Sequence, residues 1–350
     1  ETDYLLTVPE RAARAMAPRF GLRLLEPPIE LRPYALSLLW HPRFDAEDLR
    51  KEKTVILEEF AMVDDTPDDI VGEMFAEKMW PDHPIGRPIL GTRAALRAYT
   101  REDVWRFFRK VYVPSNLVLS IAGRITEKKA LALASRLFGR LPHASAPGRH
   151  ARPRAHHGVI RKHRKTLAQT HVCLGVPGPS SLDDARFTGH VLGTVLGGSI
   201  SSRLFQNVRE KRGLVYSISA GLTGFMDTGS LSIYAAMSKD RVDAVLTLIA
   251  DEVKGLLDAK VPEDELQRAK DNLKGGLMLS LEGSGSRMSQ AARNEIYFRR
   301  TIAPDETLRR IDAVTSDDVE KLARRLFGAP LTLAAIGNLK GARLAVPAFS

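Results

Sequence analysis

One cysteine, Cys173, is all that the 350 residues contain. A single thiol excludes an internal disulfide and any cysteine-built metal cluster, and it leaves the compartment open between cytoplasm and periplasm. Long apolar runs are missing as well. None approaches the roughly 20 residues that a membrane-spanning helix needs, so no membrane span is expected. The first residues, Glu1-Thr2-Asp3-Tyr4-Leu5-Leu6-Thr7-Val8-Pro9, lack the basic start and apolar core of a secretory signal. They read instead as a strand entered part-way, as if the chain began inside a domain. Charge of one sign is not segregated either. The net charge of +10 would suit an anionic partner, yet many cations stand beside acids, as in Arg209-Glu210-Lys211-Arg212, and no groove-entering motif accompanies them. A nucleic-acid partner is therefore not expected. The densest basic stretch, Arg152 to Lys165, reads as part of a linker.

What is present is ordinary globular composition, 44% hydrophobic and 27% charged. The length suits two domains. The Pro-, Arg- and His-rich stretch 143–158 reads as a linker between a first domain at 1–142 and a second at 159–350. In the first, helices are expected over 45–63, 69–80, 101–111 and 127–138, with a strand at Leu117–Ala122. In the second, strands are expected at 170–176, 214–222, 230–237 and 331–336. Helices are expected there at 185–196, 202–211, 242–257, 263–281, 286–298 and 315–326. Strands meeting through hairpins as well as crossovers argue an α+β class, not a doubly wound sheet. Both halves end on helix, short loop and apolar strand followed by Gly, which hints at an internal duplication.

The helix over 45–63 carries an anomaly. At roughly 100° per residue, Leu49, Val55, Ile56, Phe60, Met62 and Val63 share one arc, and Glu52 and Glu59 fall near its middle. Glu58 falls on the opposite side with Glu47 and Thr54. A buried carboxylate costs several kcal/mol unless a cation or metal satisfies it. Either the two acids pair with Arg or Lys or stay wet at a domain edge, or one is a metal ligand and the other supports it.

Several segments then line up: His41-Pro42-Arg43-Phe44-Asp45, Glu52 through Glu59, Asp65-Thr66-Pro67, His83-Pro84-Ile85-Gly86-Arg87-Pro88-Ile89-Leu90-Gly91-Thr92 and Tyr112-Val113-Pro114-Ser115-Asn116-Leu117. In the second half follow Leu196-Gly197-Gly198-Ser199-Ile200-Ser201-Ser202-Arg203-Leu204-Phe205 and Arg209-Glu210-Lys211-Arg212-Gly213-Leu214-Val215-Tyr216-Ser217. In this order they resemble the pitrilysin/insulinase family of zinc metallopeptidases, in particular its short bacterial members and the mitochondrial processing peptidases. The resemblance implies two homologous α/β-sandwich domains, each a mostly antiparallel sheet covered on one face by helices. It implies Zn2+ held by an inverted His-x-x-Glu-His motif plus a later glutamate with a second glutamate seven residues before it. Glu59, with Glu52 behind it, matches that pair. It further implies an Arg and a Tyr, seven apart, that hold substrate backbone and help stabilise the tetrahedral intermediate. Arg209 and Tyr216 match them. Read singly, Arg209 is a cation near a helix C-terminus and Tyr216 a strand aromatic alternating with Leu214 and Ile218.

One departure matters most. None of the nine histidines begins a His-x-x-Glu-His sequence, and the family's spacing would put that motif before residue 1. The first domain is thus expected to be N-terminally incomplete, with a sheet edge or apolar face uncovered. Pro18, Pro27, Pro28 and Pro33 also interrupt a stretch that in the family is one helix. Two readings follow. The first is a zinc endopeptidase homologue acting on peptides or unfolded polypeptide, its catalytic segment outside the chain. The second is a non-catalytic or structural subunit of a homodimer or heterodimer, supplying Arg209 and Tyr216 to a zinc-bearing partner. On either reading this chain alone is expected to hold no zinc.

Overall fold

The computed structural model describes residues 42–139, 144–145, 147–148 and 150–344. The strand expected at the start of the chain and the proline-interrupted stretch lie outside those residues. The described chain forms two compact units. One comprises the described parts of 1–54, 97–149 and 280–301; the other comprises 55–96, 150–279 and the described part of 302–350. This division differs from the expected one at 143–158. Residues 55–96, assigned to the first domain on sequence, belong to the same compact unit as the second half.

The reason lies in helix α2 (Pro67–Met79), whose Ile70, Val71, Met74, Phe75 and Met79 are buried. Their spacing covers one face of a helix, and that face packs with Trp80 on Cys173, Ala334 and Ile336 of a sheet built from the second half. Burying each such side chain contributes about 1.5–3 kcal/mol. The sheet comprises β1 (Gly158–His163), β2 (Thr170–Pro177), β3 (Ser217–Gly224), β4 (Gly229–Met237) and β5 (Thr332–Gly337), in the order β1-β5-β2-β4-β3. Only β1 pairs in parallel, with β5; the pairings β2–β5, β2–β4 and β3–β4 are antiparallel. The expected α+β class, a mostly antiparallel sheet covered by helices, is what the unit shows.

The sheet's other face carries α6 (Ala185–Gly193), α7 (Val242–Asp258) and α11 (Ser316–Phe327). They bury Val191, Ile249 and Leu322 among others against Val172, Leu174, Leu333 and Ala335. Both faces are therefore covered, not one as expected. The residues of β2 announce this, because His171 to Val176 are buried without alternation, the mark of a strand enclosed on both sides. Cys173 faces α2, and burial pushes its thiol up to about 12. We expect it to resist iodoacetamide at pH 8 in the native protein and to react in denaturant; rapid native alkylation would contradict the packing described.

The other unit holds the first part of α1 (Ala46–Asp64), α4 (Arg101–Val111), α5 (Glu127–Phe138) and α9 (Ser284–Phe298). Phe44 packs edge-on against Trp105 and Phe108 at 5.1 and 5.4 Å, and Arg101 Nε donates to the Phe44 carbonyl at 2.7 Å. Thr100 and Asp103 form a capping box at the start of α4. Leu117–Ala122 is not a strand, contrary to expectation. A strand exists only by pairing, and among the described residues this unit offers no other strand. Val118 and Leu119 are left exposed. The remaining helices are the short α3 (Arg93–Ala98), α8 (Glu263–Ser280) and α10 (Pro304–Asp312). No helix among the described residues is long and apolar enough to cross a membrane.

Candidate functional site

Arg209 and Tyr216 sit where the chain leaves the helical layer and enters the sheet's edge strand β3. Helix α6 widens into a π-type turn at Thr194–Gly198, and a second π-type turn spans Phe205–Glu210. Such turns are rare and concentrate at functional positions. Gly197 is required in the first, since a Cβ there would stand 2.5 Å from the Ala220 nitrogen. Gly213, at φ +57°, stops the second. Leu204, Val208 and Val215 anchor the segment in the core, and Tyr216 N then donates to the Ala236 carbonyl at 2.8 Å.

That path brings the two residues together. Arg209 Nε donates to the Tyr216 carbonyl at 3.1 Å, the guanidinium lies 4.7 Å from the Phe205 ring centroid, and it also pairs with Glu210 at 3.2 Å. The Tyr216 side chain points outward and is 74% exposed. It is not the core aromatic that alternation with Leu214 and Ile218 could have made it. The neighbouring polar residues are structural. Arg203 makes a two-pronged bond to Glu265 at 2.8 and 2.9 Å, Asn207 donates to Glu252 at 2.6 Å, and Lys211 and Arg212 both donate to Asn207. The sequence did not single out the Arg203–Glu265 and Asn207–Glu252 pairs, because their members lie 62 and 45 residues apart.

Glu52 and Glu59 are placed differently from expectation. Helix α1 has no fully buried residue, and both glutamates are exposed. The half-buried stripe runs through Lys53, Ile56, Leu57, Phe60, Val63 and Asp64. Val55 and Met62, which the helical wheel counted toward the core, are exposed at 50% and 70%. Removing them from the arc turns its centre toward Phe60, and the glutamates then flank it by roughly a quarter-turn. Glu58 lies on the far side, as expected. The stripe is held by Arg93, which stacks on Phe60 at 4.8 Å and pairs with Asp64 at 2.7 Å. The Arg93 bond keeps the Asp64 carboxyl below the usual carboxylate range.

Glu59 makes no hydrogen bond or ion pair with Arg209 or Tyr216 among the described residues. Nor is any group of three or more His, Cys, Asp or Glu side chains arranged among them to hold a metal ion. A catalytic zinc needs three protein ligands. An exposed Glu59 does not meet that requirement with the residues described.

A family profile described as the peptidase M16 inactive domain matches residues 98–273. An uncharacterized zinc protease of Streptomyces coelicolor is 38% identical over 302 residues, covering 84% of this chain and 66% of the relative. A Bacillus subtilis protein, also called an uncharacterized zinc protease, is 34% identical over 313 residues, covering 87% and 76%. The chain thus spans about two thirds to three quarters of these relatives' length. Among solved structures, a peptidase M16 inactive domain from Pseudomonas fluorescens aligns with a TM-score of 0.79 at 21% identity, covering 86% of this chain and 72% of that one. A chain of the Candida albicans complex III dimer aligns with a TM-score of 0.76 at 21% identity, covering 87% and 74%. At that identity the two structures speak for the fold alone.

Proposed function

Because the chain belongs to the M16 family of peptidases, the pitrilysin family its motifs resemble, we propose that it is the substrate-holding part of a zinc-dependent endopeptidase. In this reading Arg209 and Tyr216 bind the backbone of a peptide or unfolded polypeptide. The zinc is shared: Glu59 supplies one ligand, and the others come from residues outside these 350. The observation that carries it is the Arg209–Tyr216 arrangement, in which a hydrogen bond fixes the cation to the tyrosine's backbone while the phenol is exposed and makes no hydrogen bond among the described residues. A cation and an O–H donor on one rigid strand entry are what a peptide carbonyl gathering negative charge requires. Glu59 and Glu52 are assigned to the metal side, as ligand and support. The exposed position of Glu59 suits a ligand whose companions come from elsewhere. The first half, 1–142, and the second, 159–350, are proposed as related domains of which only the second has its sheet within the described residues.

A second reading makes the chain a non-catalytic or structural subunit, and the exposed Val118 and Leu119 favour an interface. The two readings separate in one experiment. The chain is mixed with a zinc-bearing M16 protein from the same source, and cleavage of an unfolded polypeptide is followed. Activity above that of either protein alone supports the first; association without activity supports the second. Metal content gives an independent check. Dialysed chain alone is expected to carry well under one zinc per molecule by elemental analysis, and one tightly held equivalent lost in Glu59→Gln would refute the proposed sharing of ligands.

A further inference from the structure

Residues 150–165 hold six Lys or Arg and four His, without a single Asp or Glu. Part of this stretch is not linker. Gly158–His163 is the edge strand β1, whose signal in the sequence is weak because only Val159 and Ile160 are apolar. Gly158 N and Arg164 N donate to the Leu331 and Gly337 carbonyls on the β5 side. Backbone groups alternate along a strand, so those of Val159, Arg161 and His163 face the opposite way. Along that edge no described strand pairs with β1.

The cations fall on both faces of this edge. Val159 and Arg161 pair in register with Leu333 and Ala335 of β5, which face α7, whereas Ile160 and Lys162 pair with Ala334 and Ile336, which face α2. Arg164 is already engaged, donating to the Asp64 carbonyl at 2.5 Å, and the Asp64 carboxylate is held by Arg93. Arg161, Lys162 and Lys165 are exposed and make no ion pair among the described residues. Lys78 adds a further cation beside Gly158.

We propose that β1 is a docking edge for an extended acidic polypeptide segment, which joins the sheet as a sixth strand. The donors and acceptors of Val159, Arg161 and His163, unpaired among the described residues, would bind its backbone. Because side chains of an added strand alternate between faces, its acids would meet Arg161 on one face and Lys162 on the other. The alternation of backbone groups favours a peptide over a nucleic acid, whose phosphates would use the cations but not the strand edge. That the occupant is polypeptide rests on the chain's proposed peptidase role. The site is separate from Arg209 and Tyr216, which lie beside β3 at the sheet's opposite edge.

The test is fluorescence anisotropy with the full chain and a labelled eight-residue peptide of Val and Thr with two adjacent acids, Asp-Glu, at its centre, one for each face of the strand. Saturable binding is expected. It should weaken roughly tenfold when two of the peptide's Val or Thr residues become Pro, which removes strand donors and leaves its acids in place. Arg161→Pro takes away one outward N–H and a charge without touching a β1–β5 bond, and should weaken binding by a similar factor. Lys162→Gln and Lys165→Gln, which leave the backbone alone, should cost about twofold to fivefold each. Circular dichroism melts establish that the variants fold. No saturable binding, unchanged binding in Arg161→Pro, or equal binding of the Pro-containing peptide or an oligonucleotide would overturn the proposal. The last result would leave a generic polyanion surface, and complete indifference would leave cations that merely keep the edge unpaired. Arg209→Ala should leave peptide binding at β1 intact, so failure here is distinguishable from failure of the peptidase reading.

Discussion

Arg209→Ala and Tyr216→Phe are each expected to lower kcat/KM of the reconstituted peptidase by about 2–4 kcal/mol, the usual range for losing a donor to a developing oxyanion. Tyr216→Phe is the cleaner variant. It removes one hydroxyl from a side chain that is 74% exposed, and that hydroxyl makes no hydrogen bond among the described residues. Stability should therefore hold while activity falls. If the hydroxyl acts only in the transition state, the loss will appear in kcat with KM little changed. Arg209→Ala is expected to do more, since it removes the bond to the Tyr216 carbonyl and the stacking on Phe205. Arg209→Lys separates those effects. It keeps the charge but cannot reproduce a planar guanidinium that stacks and donates through Nε, so only partial activity should return. Wild-type turnover in both variants, in a mixture whose activity depends on this chain, would assign the pair to packing.

That Arg209 and Tyr216 lie close together is foreshadowed in the sequence, where they stand seven residues apart within one motif. Most elements of the second half were legible for a related reason. Val242, Val245, Leu246, Ile249 and Val253 keep helical spacing, and the continuous apolar run of β2 needs no partner to be recognised. Other features depended on distant chain. Edge strand β1 has one flank to bury and so carries little apolar signal. The exposed setting of Glu52 and Glu59 turned on Val55 and Met62, which look like core residues on a wheel and find no cover among the described residues. Leu117–Ala122 has a strand's composition, but composition cannot supply the neighbour with which a strand pairs.

The widest gap between sequence and fold is the attachment of α2 to a sheet whose first strand begins about 80 residues later, and Trp80 measures it. Trp80→Ala is expected to destabilise the unit by about 3–5 kcal/mol, as deleting a buried aromatic usually does. The ring is 2% exposed and meets Phe225 edge-on at 5.7 Å. Nor can the surroundings close over the cavity easily. The Trp80 backbone N–H donates to the Ala76 carbonyl and closes the helix, and Gly86 approaches the Trp80 carbonyl so closely that a Cβ would overlap it. Trp80→Phe should cost less, under about 1.5 kcal/mol. It keeps the aromatic contact, and it removes a buried indole N–H that has no hydrogen-bond partner among the described residues. An unsatisfied donor is itself unfavourable by about 1–3 kcal/mol, so its loss offsets part of the missing volume. Urea unfolding followed by far-ultraviolet circular dichroism reads both variants. If α2 and the sheet form one cooperative unit, Trp80→Ala will move the midpoint of the sheet's transition with little change in slope. A cost below about 1 kcal/mol, or a separate early transition confined to residues 55–96, would mean that this helix docks on a sheet already stable without it.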